Sequence, residues 1–293
     1  MKRLRIHIAA ISVMAILSNG CASTGSPARV ASTPGTSTSA ATNIRDTHEG
    51  LNNVLWVQTA AEFWALTTAS YNGAHALLER ALMEKTWTAA LEQTAGYDNL
   101  PPAVILDLDE TVLDNSPAQA QVALERTVYQ QDMWNAWVEK MAAVAIPGAQ
   151  SFIAYAEQRG VRVFFITNRA VSEQAATLKN LAALGIAASN ETILSPGENG
   201  WTSDKTPRRA EIARSHRVLL LVGDDMNDFV ATTNLTPPQR VALAKQHADR
   251  WGRSWILLPN PTYGSWERAL YPGITSDAEI LQRKREQLKG FRP

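Results

Sequence analysis

The sequence predicts an α/β fold, a Rossmann-like three-layer sandwich with a central parallel sheet and a small helical cap. Three observations predict it. From Pro101 onward, short apolar runs alternate with amphipathic stretches. The runs are rich in branched residues and apolar throughout, as strands buried on both faces of a parallel sheet are. Two of them lead straight into acidic clusters, and open parallel sheets bind ligands beyond the carboxyl ends of their strands.

Taken in order, the chain opens with Lys2, Arg3 and Arg5, an apolar run from Ile6 to Leu17, and small residues before Cys21. This is the layout of an export signal over residues 1–20. The run is too short to span a bilayer. The stretch Leu17-Ser18-Asn19-Gly20-Cys21 resembles a bacterial lipoprotein processing site, with Ser18 where a leucine is usual. The resemblance implies a lipid on Cys21 and an exported outer-membrane lipoprotein, facing the periplasm or the surface. The alternative is an ordinary signal peptide with an incidental cysteine. Residues 21–50 form the anchor cysteine and a linker dominated by Ser, Thr, Ala, Gly and Pro. Such a flexible tether has a root-mean-square span of roughly 25 Å.

Residues 51–293 are expected to form the folded domain, with cap elements over about 51–100 and 117–145. Leu55, Phe63, Trp64, Leu66, Tyr71, Ala74, Leu77 and Leu78 recur at roughly helical spacing, predicting two helices before the first strand. Strands are predicted over residues 104–106, 161–166, 192–194, 218–222 and 255–258. Helices are predicted over residues 148–158, 172–184, 206–214 and 238–250, with Pro147, Gly160 and Gly185 as boundaries. The segment from Pro117 to Ala145, carrying Trp134 and Trp137, reads as a helical cap over the sheet edge.

Composition narrows the function. The chain's 28 basic and 28 acidic residues balance, so no overall field favours a nucleic-acid polymer. Cys21 is the single cysteine, which leaves the folded part without a disulfide, a zinc thiolate site or a thiol nucleophile. The five histidines form no HExxH pair, and neither a Cys-x5-Arg loop nor an Arg-His-Gly motif occurs.

The acidic clusters carry the chemistry. In Ile105-Leu106-Asp107-Leu108-Asp109-Glu110-Thr111, the alternation of extended chain aims Asp107 and Asp109 the same way. The second cluster, Gly223-Asp224-Asp225-Met226-Asn227-Asp228, follows the most apolar run. Bringing these carboxylates together costs like-charge repulsion unless a cation shares the site. Hard oxygen ligands without histidine partners suit Mg²⁺, which also accepts phosphate oxygens. Asp225 and Asn227 are expected to support the ligands rather than to be ligands.

These residues match the motifs of the haloacid dehalogenase (HAD) superfamily: Asp107, Asp109 and Thr111, then Thr167, then Lys205, then Asp224 and Asp228. Three stretches further resemble the class C, or lipoprotein-e type, bacterial acid phosphatases. They are the run from Asp107 to Ser116, Thr167-Asn168-Arg169, and the run from Leu258 to Glu267. The resemblance implies a Mg²⁺-dependent acid phosphatase acting on small phosphate monoesters, including nucleoside 5′-monophosphates. In it Asp107 is the nucleophile and Asp109 the acid and base. Asp107, the Asp109 main-chain carbonyl, Asp224 and Asp228 hold the metal. Thr167 and Lys205 contact the phosphoryl oxygens. Trp134 and Tyr263 are implied to stack a nucleobase, with ordinary packing as the alternative. Arg169 either contacts substrate or makes a surface ion pair. Rival functions on the same scaffold are a surface protein that binds haem or a nucleotide, and a phosphotransferase; an oligomer is compatible with all of these.

Overall fold

The computed structural model describes residues 48–291. The export signal, Cys21 and most of the linker lie outside the described residues. Two helices come first, α1 (Leu51–Thr59) and α2 (Ala61–Met83). A stretch without regular structure follows, in which Trp87, Ala89 and Ala90 are buried. Strands β1 (Pro102–Leu106) and β2 (Leu113–Asp114) precede helices α3 (Ser116–Leu124) and α4 (Gln131–Lys140). Next come β3 (Val144–Ala145), α5 (Ala149–Gln158), β4 (Arg162–Ile166), α6 (Gln174–Ala183) and β5 (Ile193–Leu194). The rest is α7 (Thr206–Ser215), β6 (Arg217–Gly223), α8 (Pro237–Gln246), β7 (Trp255–Leu257), α9 (Ser265–Arg268) and α10 (Asp277–Glu286).

The five-stranded sheet has the order β5-β4-β1-β6-β7, and every pairing is parallel. Its two faces follow from the period-2 alternation of strands. Val104, Leu106, Val163, Phe165 and Val222 pack on one side with Tyr71, Leu78 and Phe152 of α2 and α5. Ala103, Ile105, Phe164, Ile166, Val218 and Leu221 pack on the other with Ile212 and Ala213 of α7 and with Phe229 and Trp255. Leu219 and Leu220 break the alternation by joining the same face. The cause is a register shift against Ala103 and Val104, where one extra residue on β6 bulges.

The central strands match the sequence reading to within a residue or two. Helix α8 ends at Gln246 rather than near Arg250, because residues 247–250 turn to lead into β7. The short antiparallel pair β2–β3 has too few residues to leave a periodic signal. It brackets α3 and α4 and roots this cap at the carboxyl end of β1. Helix α2 packs on α5 and on β6 and β7, so it covers a face of the sheet, whereas α1 touches cap helix α3. Among the described residues, no helix is long and apolar enough to cross a membrane.

Candidate active site

Strands β1, β4 and β6 are neighbours, so the loops leaving their carboxyl ends converge. That convergence joins residues far apart in sequence. Asp107 follows β1, Thr167 follows β4, Asp224 and Asp228 follow β6, and Lys205 precedes α7. Oxygen atoms of Asp107, Asp224 and Asp228 lie within 4.8 Å of one another. The Lys205 ammonium donates to Oδ1 of Asp107 and, at 2.6 Å, to Oδ1 of Asp228. Gly223 permits this closeness, since a Cβ there would lie 2.2 Å from Asp228 Oδ2. The second oxygen of Asp228 also accepts the Asp225 amide at 2.9 Å.

One buried lysine faces three carboxylates, and the charge balance shows it. Burial pushes the Asp107 carboxyl from 3.8 up to about 7; Lys205 opposes the shift, while the charges of Asp228 and Asp109 add to it. Burial also lifts Asp224 well above the usual carboxylate range, helped by Asp228 and Asp107 and opposed by the Asn260 amide. Asp228 is raised by burial too, with Lys205 opposing. Burial works against the Lys205 ammonium, but Asp107 and Asp228 together outweigh it and raise its pKa. The remaining negative charge and the all-oxygen donor set fit a divalent cation. Asp107, Asp224 and Asp228 are the side chains that would hold it.

Asp109 points elsewhere. Its Oδ1 accepts from Arg169 Nε at 2.9 Å and from Asn115 Nδ2 at 2.9 Å, and Thr167 Oγ1 lies 3.5 Å from its Oδ2. Its carboxylate stands outside the three-acid cluster, so a part for Asp109 in metal binding falls to its main chain. The Asp109 side chain keeps 17% of its exposure, against 9% for Asp107. Asp109 is therefore the more exposed of the two, although both carboxylates are largely enclosed.

The sequence left Arg169 between a substrate contact and a surface ion pair. It is buried, and it pairs internally with Asp109. Its guanidinium carbon sits 5.4 Å from the Trp134 ring, so that ring face holds a cation. The Tyr263 hydroxyl donates to Glu110 Oε2. Asp225 accepts from Ser265 N at 2.6 Å and from the Ser265 hydroxyl, and lies 3.8 Å from Arg240. Asn227 donates to Ser203 O at 3.2 Å. Both tie loops together rather than face the three-acid cluster.

Several site residues carry no signal by spacing alone. Asn115 is fully buried, and joins Asp109 to the cap. Asp224 is held by the Thr111 hydroxyl at 3.1 Å and by Asn260 Nδ2 at 2.8 Å. Glu110, at φ 56, turns the loop after β1 and is buried; burial, then the Asp109 charge, raises its pKa well above normal. Arg208 is fully buried and donates to the carbonyl oxygens of Thr167, of Leu194 at 3.3 Å and of Thr202 at 3.0 Å. It stitches the ends of β4 and β5 to the loop that carries Lys205. Asn115 and Asn260 lie inside the stretches that resemble class C acid phosphatases, which was the one available hint.

Solved structures show the same arrangement of chain. The class C acid phosphatase from Bacillus anthracis is 34% identical, with a TM-score of 0.75 over 85% of this chain and 100% of that one. A second structure of it, with tungstate bound, is 33% identical at a TM-score of 0.74, over 85% of this chain and 99% of that one. Acid phosphatase 1 of Solanum lycopersicum is 25% identical over 133 residues, which is 44% of this chain and 52% of the tomato protein. The chain thus spans about half the length of that curated relative. Residues 29–266 match the family described as HAD superfamily, subfamily IIIB (acid phosphatase). With a sheet, four ordered motifs and a structural relative covering 85% of the chain in agreement, the chain belongs to subfamily IIIB of the HAD superfamily, the acid phosphatases.

Proposed function

We propose that the protein is a Mg²⁺-dependent phosphomonoesterase that works through an aspartyl-phosphate on Asp107 and takes small esters, nucleoside 5′-monophosphates among them. The observation that carries this reading is the meeting of Asp107, Asp224, Asp228 and Lys205 at the carboxyl ends of β1 and β6, with the Asp109 carboxylate outside that cluster and paired with Arg169. The related protein with tungstate bound supports an oxyanion site, since tungstate and phosphate are both tetrahedral oxyanions.

Asp107 attacks phosphorus, and the bond from phosphorus to the ester oxygen breaks. Asp109 gives a proton to the departing alkoxide, then takes one from the water that attacks the phosphorylated Asp107. Lys205 and Thr167 steady the equatorial oxygens, where charge gathers in the transition state. A bound Mg²⁺, held by Asp107, Asp224, Asp228 and the Asp109 carbonyl, would neutralise phosphoryl charge. Trp134 lies against Arg169, the partner of Asp109, and Tyr263 bonds to Glu110, the next residue, which supports a part for both aromatic rings in contacting a flat leaving group. The charged leader and Cys21 support export and a lipid anchor at a membrane.

The test is phosphate release from a panel of monoesters across pH, with EDTA and with Mg²⁺ restored. Activity is expected to vanish with EDTA and to return with Mg²⁺. The Asp107→Asn variant is expected to lose at least about 10³-fold in turnover, given the weight of nucleophile loss in covalent catalysis. Hydrolysis that ignores EDTA would refute the metal; substantial turnover by a folded Asp107→Asn protein would refute the covalent route.

A further inference from the structure

Two tryptophans of cap helix α4 lie one turn apart on the same side of the helix, Trp134 and Trp137. Each reaches Asp109 through one intermediary. The Trp137 indole donates to Asn115 Oδ1 at 2.8 Å, and Asn115 Nδ2 donates to Asp109 Oδ1 at 2.9 Å. The Trp134 ring faces the Arg169 guanidinium, which pairs with that same Oδ1 at 2.8 Å. The two intermediaries also touch each other, Arg169 Nη2 donating to Asn115 Oδ1 at 3.2 Å. Thr177 takes a further Arg169 donor at 3.0 Å, so the guanidinium is fixed from a second helix.

The last donors of both routes, Asn115 Nδ2 and the Arg169 guanidinium, fall on one oxygen, Asp109 Oδ1. With Oδ1 occupied, the carboxyl plane of Asp109 is set, and Oδ2 is left toward Thr167. An oxygen that accepts two charge-assisted or amide donors is a poor proton carrier, so Oδ2, whose one neighbour is the Thr167 hydroxyl at 3.5 Å, is the better placed to carry the transferable proton. We propose that helix α4 is a positioning element for the acid. Trp137 through Asn115, and Trp134 through Arg169, turn Asp109 Oδ2 toward the leaving oxygen. This rests on the phosphomonoesterase reading. The step it governs is cleavage of the phosphorus–oxygen bond: the proton leaves Asp109 Oδ2 for the departing alkoxide as Asp107 Oδ bonds to phosphorus. Trp137 and Asn115 are positioning residues, since neither touches the reacting atoms.

The experiment uses Trp137→Phe, which keeps an aromatic ring of smaller size and deletes the N–H, and Asn115→Ser, in the Mg²⁺-loaded full chain. Each is assayed on an alkyl phosphate, whose leaving alkoxide needs the proton, and on p-nitrophenyl phosphate, whose leaving group does not. The readout is kcat/KM, which covers events up to alcohol departure. For the alkyl ester a fall of about 10-fold or more is expected, part of the 10²–10⁴-fold that acid–base groups supply. For p-nitrophenyl phosphate the fall is expected to be smaller than for the alkyl ester by about 5-fold or more, because its leaving group needs no proton. The double variant is expected to be no worse than Asn115→Ser alone, because the two act in series. Equal losses on both esters, or no loss on either, would overturn the positioning role. If Asn115→Ser fails to fold, Trp137→Phe decides by itself. Wild-type protein that hydrolyses neither ester would instead overturn the underlying reading, and the inference with it.

Discussion

Lys205 is the residue on which the site's charge balance turns. It is buried between Asp107 and Asp228, and its removal would leave three carboxylates facing one another without the ammonium that pairs with two of them. Lys205→Met is therefore expected to cut kcat/KM by about 10²-fold or more, as loss of a group that stabilises transition-state charge does. It is also expected to lower the melting temperature of the metal-free protein, and more at pH 8 than at pH 5. The sign follows from ionisation: at the lower pH the raised carboxyls take up protons and the missing cation matters less. Thermal melts of the variant at the two pH values check this. A deficit as large at pH 5 as at pH 8 would contradict the charge argument.

At the scale of an element, the segment after β7 acts as a strap over the acidic cluster. Asn260 donates to Asp224 at 2.8 Å, Tyr263 to Glu110, and Ser265 to Asp225 at 2.6 Å. Asn260 is itself set by the Thr262 amide, which donates to its Oδ1 at 2.9 Å. A residue that orients a metal-binding carboxylate typically matters 10–100-fold in affinity. Asn260→Ala is accordingly expected to weaken Mg²⁺ binding by about that factor, read as the Mg²⁺ concentration that half-restores activity after EDTA. Thr59→Ala is the control, because that hydroxyl is exposed and bonds only within its own helix, to Leu55 O. Unchanged Mg²⁺ dependence in Asn260→Ala would remove the strap from the metal site.

At the scale of the whole molecule, the buried acids link folding to pH. The folded chain raises Asp107 from 3.8 to about 7, so it holds that proton more tightly than the unfolded chain does. This contribution to stability is fully present below about 3.8 and is lost as pH rises through about 7. Asp224, Asp228 and Glu110 shift in the same direction. The metal-free protein is expected to melt several degrees lower at pH 8 than at pH 5, the scale on which about 1 kcal/mol or more moves a melting temperature. Saturating Mg²⁺ is expected to reduce this slope by supplying the missing positive charge. Calorimetry with and without EDTA measures it, and parallel curves would rule out the linkage.

The sequence by itself determined the sheet and its chemistry-bearing ends. Burial on both faces writes each strand as an apolar run, and the same runs deliver Asp107, Thr167 and Asp224 to one edge. Lys205 and Asp228 were legible as parts of ordered motifs. Only the tertiary structure decided what these groups meet. Strand order, the bulge at Leu219, the burial of Arg169 and the partnerships of Asn115, Asn260 and Arg208 depend on chains brought together from distant positions. Asn260, for example, reaches Asp224 across 36 residues, and Lys205 reaches Asp107 across 98. Periodicity reports how one segment faces the core; a hydrogen bond or a field between buried charges depends on the neighbour that folding supplies.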